Sequence, residues 1–161
     1  MKRWVPLVLA ALSLLLAVGC GQAANTDAAP EILYGQDVCE RCGMIISEEQ
    51  FAAAYWTERG DARRFDDIGG MLAYIAEESE DVASYWVHDF ATGEWIRAEG
   101  AYFVVDSDLM TPMGFGIAAF ENEEQAQALA HDQEGVMIMP FAELLAMNIK
   151  MPADLHEGHA E

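Results

Sequence analysis

The stretch that decides the fold is FDDIGGMLAYIA, at residues 65–76. Asp66 and Asp67 follow a strand-like run and can cap a helix, because aspartate side chains accept hydrogen bonds from the free N–H groups of the first helical turn. Apolar residues then recur at positions 68, 71, 72, 75 and 76, the spacing of one helix face. The stretch predicts a strand that ends at Phe65 and an amphipathic helix directly after it.

The segments around this stretch complete a small unit. Residues 62–65 form a short strand-like run before the helix, and residues 51–56 form an earlier one. Residues 84–87, which follow the polar end of the helix, are rich in residues that favour strands. Residues 37–88 are therefore predicted to form a unit of two strands, a helix and a third strand (ββαβ).

The same order of elements recurs later, with Asn122 standing 55 positions after Asp67. Asn122 and Gln125 have the form of a capping box before a second helix. Pro140 suits the first turn of a short C-terminal helix. The predicted elements are strands at 94–97, 101–105, 116–120 and 136–139 and a helix at 123–131. The chain is therefore predicted to be an α+β protein of two small tandem ββαβ units, 37–88 and 89–150.

The N-terminal residues have the form of a bacterial lipoprotein signal. Lys2 and Arg3 precede an apolar run at residues 4–16, which is shorter than the roughly 20 residues that span a bilayer. The run ends in LAVGC, which resembles a lipobox. We expect residues 1–19 to be a cleaved signal peptide, Cys20 to be lipidated, and residues 20–36 to be a flexible linker. The protein is then anchored to a lipid bilayer of the cell envelope and faces the periplasm.

Charge and motifs exclude several classes of function. The chain has 161 residues and carries 8 Lys and Arg against 28 Asp and Glu, a net charge of −20. Nucleic-acid binding requires clustered basic residues, so no nucleic-acid partner is expected. The sequence has no glycine-rich phosphate loop, no G-x-S-x-G and no H-E-x-x-H. We therefore predict no catalytic residues and a protein that is not an enzyme.

Sulfur is the first place to look for chemistry, because Cys39 and Cys42 form a C-x-x-C motif within CERCGMII at residues 39–46. Two intervening residues allow both sulfurs to converge on one metal ion or on each other. A structural zinc site requires four protein ligands, and the folded part offers no second cysteine pair. A redox dithiol favours a helix that begins after the first cysteine, whereas the residues after Gly43 look extended. A stabilising disulfide is also open in an oxidising compartment.

A further interpretation of the cysteine pair is a site for a soft monovalent metal ion. Thiolate and thioether ligands select Cu(I). Met44 stands two residues after Cys42, and strand alternation would place both on one face. Met113 lies in the turn-rich segment TPMGFG at residues 111–116, where packing explains a methionine less readily than in a helix or strand. The candidate metal ligands are Cys39, Cys42, Met44 and Met113.

The remaining soft and imidazole groups receive other predictions. Three methionines on a helix face or in strand alternation are predicted to fill the core, namely Met71, Met137 and Met139. His88 is expected to be a satisfied, partly buried histidine, and it joins Met110 as a weaker ligand candidate. Residues 151–161 are predicted to form an exposed tail that either captures metal or is simply solvated. Its candidate groups are Met151, His156 and His159.

Four segments together resemble the NosL family, the lipoprotein copper chaperones associated with the denitrification enzyme nitrous oxide reductase. They are the lipobox at Cys20, CERCGMII at 39–46, FDDIGGM at 65–71, and TPMGFG at 111–116 leading to Ala119 and Phe120. The likeness spans about residues 38–139. Its specificity comes from C-x-x-C-G-M and T-P-M-G in this order, since C-x-x-C alone is common.

The resemblance implies a monomeric, periplasm-facing protein of two ββαβ units that binds one Cu(I). It implies delivery of that copper for assembly of the nitrous oxide reductase copper centres, through a copper-assembly membrane complex. Cys39, Cys42, Met44 and Met113 are the residues to which the ligand role carries over. The residues alone leave two other functions open: an envelope-anchored thiol–disulfide oxidoreductase that uses Cys39 and Cys42, and a structural scaffold lipoprotein.

Overall fold

The computed structural model describes residues 25–131 and 135–152 of the chain. These ranges contain seven strands and three α-helices. They are β1 (Ala53–Thr57), β2 (Ala62–Phe65), α1 (Ile68–Glu78), β3 (Val82–His88), β4 (Trp95–Arg97), β5 (Tyr102–Val105), β6 (Ile117–Phe120), α2 (Glu123–Ala130), β7 (Met137–Pro140) and α3 (Phe141–Ala146). Among these residues, no helix is both long and apolar enough to cross a bilayer.

The two halves share one topology. The first sheet has the order β2-β1-β3-β4 and the second has the order β6-β5-β7, and the neighbouring strands are antiparallel. In each half the first strand is flanked by its hairpin partner on one side and by the strand after the helix on the other. Asp67 caps α1 and Asn122 caps α2 with their side chains. The predicted α+β fold of two ββαβ units is confirmed.

Strand β4 belongs to the first sheet rather than to the second unit. The sequence pattern groups residues 94–97 with the second unit, 89–150, but Trp86 of β3 pairs with Arg97 of β4. The reason is the tight turn between these strands, in which the Gly93 N–H donates to the Asp89 carbonyl at 2.7 Å. Gly93 has a positive φ of 75° there, a conformation that glycine adopts without a steric cost. The first sheet therefore gains a fourth strand, and the second ββαβ unit begins at β5.

A core shared by both units holds the sheets together. Side chains alternate along β5, so that Phe103 and Val105 join the buried residues of the first unit while Val104 packs with α2. The Phe90 N–H also donates to the Ala119 carbonyl at 2.8 Å, which links the turn between β3 and β4 to β6. Both units are parts of one packed structure.

Part of the segment predicted as a linker lies on the first sheet. The Trp56 indole N–H donates to the Ala28 carbonyl at 2.8 Å, and the Ser84 hydroxyl donates to the Thr26 carbonyl at 2.8 Å. Ile32 is buried in the core. Residues 25–36 therefore differ from the predicted flexible linker, because their backbone carbonyls and Ile32 find partners on the sheet. Cys20, the signal peptide, His156 and His159 lie outside the described residues.

Candidate metal site

The C-x-x-C motif forms the end of a tight hairpin. The Cys39 N–H donates to the Met44 carbonyl at 2.8 Å, and the Gly43 N–H donates to the Cys39 carbonyl at 3.0 Å. Val38 and Ile45 pair as an antiparallel bridge below this turn. Gly43 has a positive φ of 73°, which explains a glycine directly after the second cysteine. The motif is a turn and does not begin a helix.

Two neighbouring elements hold this hairpin in place. The Glu40 N–H donates to the carbonyl of Arg64, at the end of β2, at 2.9 Å. Arg41 lies between the cysteines, and its Nη2 donates to Glu77 of α1 at 2.8 Å and to the Lys150 carbonyl at 2.9 Å. The hairpin is therefore tied to a strand, a helix and the C-terminal segment.

The two cysteines share their surroundings with Asp66. The sulfurs of Cys39 and Cys42 and a carboxylate oxygen of Asp66 all lie within 4.8 Å of one another. Cys39 and Asp66 are each only 2% exposed, and Cys42 is partly exposed. The Cys42 thiol donates to Asp66 Oδ2 at 3.4 Å. Within the described ranges, this is the one group of three or more cysteine, histidine or acidic residues arranged to hold a metal ion.

The electrostatics of the site favour the protonated thiol until a metal binds. Burial raises the pKa of Cys39 to about 12, while the backbone N–H groups of Cys42 and Asp66 act in the opposite direction. At neutral pH the Cys39 thiol therefore keeps its proton, and a metal ion has to displace it. A protonated thiol is also a poor nucleophile.

Asp66 is the residue that sequence reasoning missed. Helix capping explained both acidic residues of the Asp66–Asp67 pair, but the structure uses only Asp67 as the cap, with the Gly69 N–H donating to Asp67 Oδ1 at 2.8 Å. Asp66 instead faces the thiols, and its Oδ1 is buried without a hydrogen-bond partner in the described part of the chain. The sequence did contain a sign of this role for Asp66. A helix needs only one capping side chain, so one of the two aspartates had no explanation.

The Met113 segment is attached to the same turn through Asp67. Asp67 Oδ2 accepts hydrogen bonds from the Thr111 hydroxyl at 2.6 Å and from the Met113 N–H at 3.0 Å. The Met113 thioether lies against Gly70, where a Cβ atom would stand 2.7 Å from its sulfur. Asp66 thus contacts the Cys42 thiol and Asp67 contacts the Met113 segment, so both predicted motifs contact the start of α1.

The other predicted ligands have different surroundings. Met44 belongs to the cysteine hairpin and is 47% exposed, whereas Met110 is 84% exposed.

The three methionines predicted to fill the core do contribute to it. Met71 and Met139 are buried, and the partly buried Met137 packs against the core.

His88 is a satisfied histidine rather than part of the cysteine cluster. Its Nδ1 lies 2.6 Å from the Gly93 carbonyl and its Nε2 lies 2.7 Å from the Tyr34 hydroxyl. A carbonyl can only accept, so Nδ1 donates to it and Nε2 of the neutral ring accepts from Tyr34. Burial lowers the pKa of His88, which favours this neutral form.

Fold and site together define a class: a small α+β protein with a duplicated ββαβ unit and a largely buried pair of thiols that could hold a metal ion. The family model for NosL matches residues 30–148. The chain therefore belongs to the NosL family, and the resemblance drawn from its motifs is confirmed.

Two relatives illustrate the likeness. The copper-binding lipoprotein NosL of Stutzerimonas stutzeri is 28% identical over 162 residues, which cover 91% of this chain and 85% of that protein. The crystal structure of the copper chaperone NosL from Shewanella denitrificans matches with a TM-score of 0.61 and 24% identity, over 72% of this chain and 94% of that one. The structural match shows the same fold. Both relatives are named as copper proteins rather than enzymes, in agreement with the prediction that this chain is not an enzyme.

Proposed function

We propose that this protein is a Cu(I) chaperone that carries one ion between Cys39 and Cys42 and passes it to a partner. One observation carries this proposal: the two thiols converge beside Asp66, and the adjacent Asp67 holds the Met113 segment. Two sulfurs in a largely buried position suit a soft monovalent ion, which accepts two or three ligands. The names of the copper-binding relatives support copper as the metal.

Met113 and Met44 are the proposed thioether ligands, one of which completes a shell of three sulfurs with the two cysteines at any one time. The Met113 sulfur lies against Gly70, in the same turn as the aspartate that contacts Cys42. Met44 follows the thiol pair in the hairpin and is half exposed. A thioether is a weaker ligand than a thiolate, so it can leave first when a partner supplies its own sulfur.

Transfer then proceeds by ligand exchange. Cys42 is partly exposed whereas Cys39 is buried, so a partner's ligand reaches the ion on the side of Cys42 and Met44. Each step replaces one soft ligand with another, and no step requires a large change in free energy. No change in the oxidation state of copper is needed.

We further propose that the client is nitrous oxide reductase, reached through its copper-assembly membrane complex. The protein would work as a monomer on the periplasmic side of the envelope, held by a lipid on Cys20. The lipobox supports this location, and the acidic surface, with a net charge of −20, suits a basic docking face on the partner. Salt weakens such steering, since screening acts over about 8 Å at physiological ionic strength.

Thiol–disulfide exchange is the main alternative function. It requires an accessible thiolate, whereas Cys39 is buried and burial raises its pKa to about 12. The motif also lies in a hairpin, where no helix N-terminus stabilises a thiolate. The chemistry of the site therefore favours metal binding.

A structural scaffold lipoprotein is the second alternative function. It predicts normal client maturation when Met44 and Met113 are both changed to leucine.

Titration of the reduced full chain with Cu(I), against a chromophoric competitor, tests the proposal. We expect one tightly bound ion per chain, and a loss of at least about a hundredfold in affinity in Cys39→Ser and in Cys42→Ser, because each removes one of two thiolate ligands. Met139→Leu, in the core, is the matched control and should bind as the wild type does. Unchanged affinity in both serine variants would overturn the proposal.

A further inference from the structure

Asp66 is a feature of the site that Cu(I) does not require. Its carboxylate is a hard oxygen donor placed beside two soft sulfurs, and it is only 2% exposed. Buried carboxylates are rare in proteins unless they are paired or coordinate a metal. The proposed copper function gives this side chain no ligand role.

The two carboxylate oxygens of Asp66 have different surroundings. Oδ2 accepts from the Cys42 thiol, whereas Oδ1 is buried with no hydrogen-bond partner among the described residues. Leaving a buried acceptor unsatisfied costs about 1–3 kcal/mol, and more for a charged group. An orphaned, buried oxygen beside two thiols indicates a position built for a cation.

The spacing of the ligand atoms leaves room for a tetrahedral centre without a large rearrangement. Zinc binds thiolate sulfur at about 2.3 Å and carboxylate oxygen at about 2.0 Å, which separates the two ligand atoms by about 3.5 Å at a tetrahedral angle. Cys42 Sγ and Asp66 Oδ2 lie 3.4 Å apart. Cys39 Sγ completes a triangle in which every separation is within 4.8 Å.

We propose that the site also binds a borderline divalent ion of the zinc class, with Cys39, Cys42 and Asp66 as its three protein ligands. A set of two thiolates and one carboxylate suits such an ion, and three protein ligands leave a fourth position open to water. Asp66 is then the residue that decides which class of metal the site accepts. The divalent ion competes with Cu(I) for the same two thiols, but its binding does not rest on the proposed chaperone function.

The divalent ion has a consequence for the thiols. While it is bound, both cysteines are metal-bound thiolates and are protected from closing into a disulfide. Cu(I) is softer, so it displaces the divalent ion by ligand exchange with the sulfurs, and the carboxylate is released. No electron transfer takes place in this exchange.

Zinc titration of the reduced, metal-free full chain tests the proposal. With a chromophoric chelator as competitor, we expect one Zn²⁺ per wild-type chain. Asp66→Asn should lower the Zn²⁺ affinity by at least about tenfold, because a neutral amide is a weak zinc ligand, and should change the Cu(I) affinity by less than about threefold. Asp37→Asn removes the same charge from the neighbouring turn and should leave both affinities within about threefold.

X-ray absorption of the zinc-loaded wild type counts the atoms bound to the ion, so it tests the proposal even if Asp66→Asn does not fold. The expected shell has two sulfurs and two oxygen or nitrogen atoms. Three results would overturn the proposal: no stoichiometric Zn²⁺ binding by a chain that binds Cu(I), unchanged Zn²⁺ affinity in folded Asp66→Asn, or a shell without two sulfurs. Loss of Cu(I) binding alone would instead contradict the chaperone function.

Discussion

At the scale of single residues, we expect Cys39 to set the pH dependence of metal binding. Burial raises its pKa to about 12, so the thiol is protonated throughout the neutral range and the proposed Cu(I) ion would have to displace that proton. We predict that the Cu(I) affinity rises about tenfold or more per pH unit between about pH 6 and pH 8. Competition titrations at several pH values, corrected for the competitor's own protonation, measure this slope. A pH-independent affinity would contradict it.

His88 links pH to stability. Burial lowers its pKa below the usual 6.5, so between the folded and unfolded pKa values the unfolded state binds more protons than the folded state. The stability that comes from the neutral ring is therefore fully present above about pH 6.5 and is lost progressively as the pH falls from there through the lower pKa of the folded state.

We predict that the free energy of unfolding falls between pH 7.5 and pH 5.5, and that His88→Gln reduces this dependence. Urea unfolding at both pH values gives the comparison. The variant is less stable at pH 7.5, because Tyr34 and Gly93 lose their partner ring. An identical pH dependence in variant and wild type would show that His88 is not responsible.

At the scale of elements, the start of α1 is the junction on which the site depends. Its cap, Asp67, also holds the Met113 segment, and Asp66 faces the thiols. Gly69 packs directly against the Phe115 ring, so a Cβ atom there would overlap it. Glycine is required at this position by the close approach of a neighbouring segment.

We predict that Gly69→Ala destabilises the protein by about 1–3 kcal/mol, because an added methyl group forces the helix and the Met113 segment apart. Gly100→Ala is the matched control, since a Cβ atom there would enter open space, and it should change stability by less than about 0.5 kcal/mol. Urea unfolding of both variants measures the difference. Equal stabilities would mean that the two segments do not pack as described.

At the scale of the whole molecule, the duplicated topology was predictable because short sequence patterns mark its helices and strands. The caps at Asp67 and Asn122 and the apolar spacing of α1 mark the helices, and the structure has both. The pairing of β4 with β3 was not predictable, since strand order depends on long-range contacts and on the turn at Gly93. The contacts of residues 25–36 with the first sheet were missed for a similar reason.

The site was predictable only in part. The C-x-x-C spacing and the soft ligand types identified Cys39 and Cys42 as a pair, because two residues between cysteines suffice to bring the sulfurs together. Asp66 stands 24 positions after Cys42, and only the folded chain shows that it faces the thiols. Met113 meets the same turn through Asp67, and its role as a ligand stays a prediction.

Copper X-ray absorption of the reduced, Cu(I)-loaded full chain tests the central claim most directly, because it counts the sulfur atoms bound to the ion. We predict a shell of three sulfurs in the wild type, two when Met44 and Met113 are both leucine, and loss of the thiolate sulfurs when Cys39 and Cys42 are both serine. A shell of nitrogen and oxygen alone, or a sulfur count that the double serine variant leaves unchanged, would contradict it.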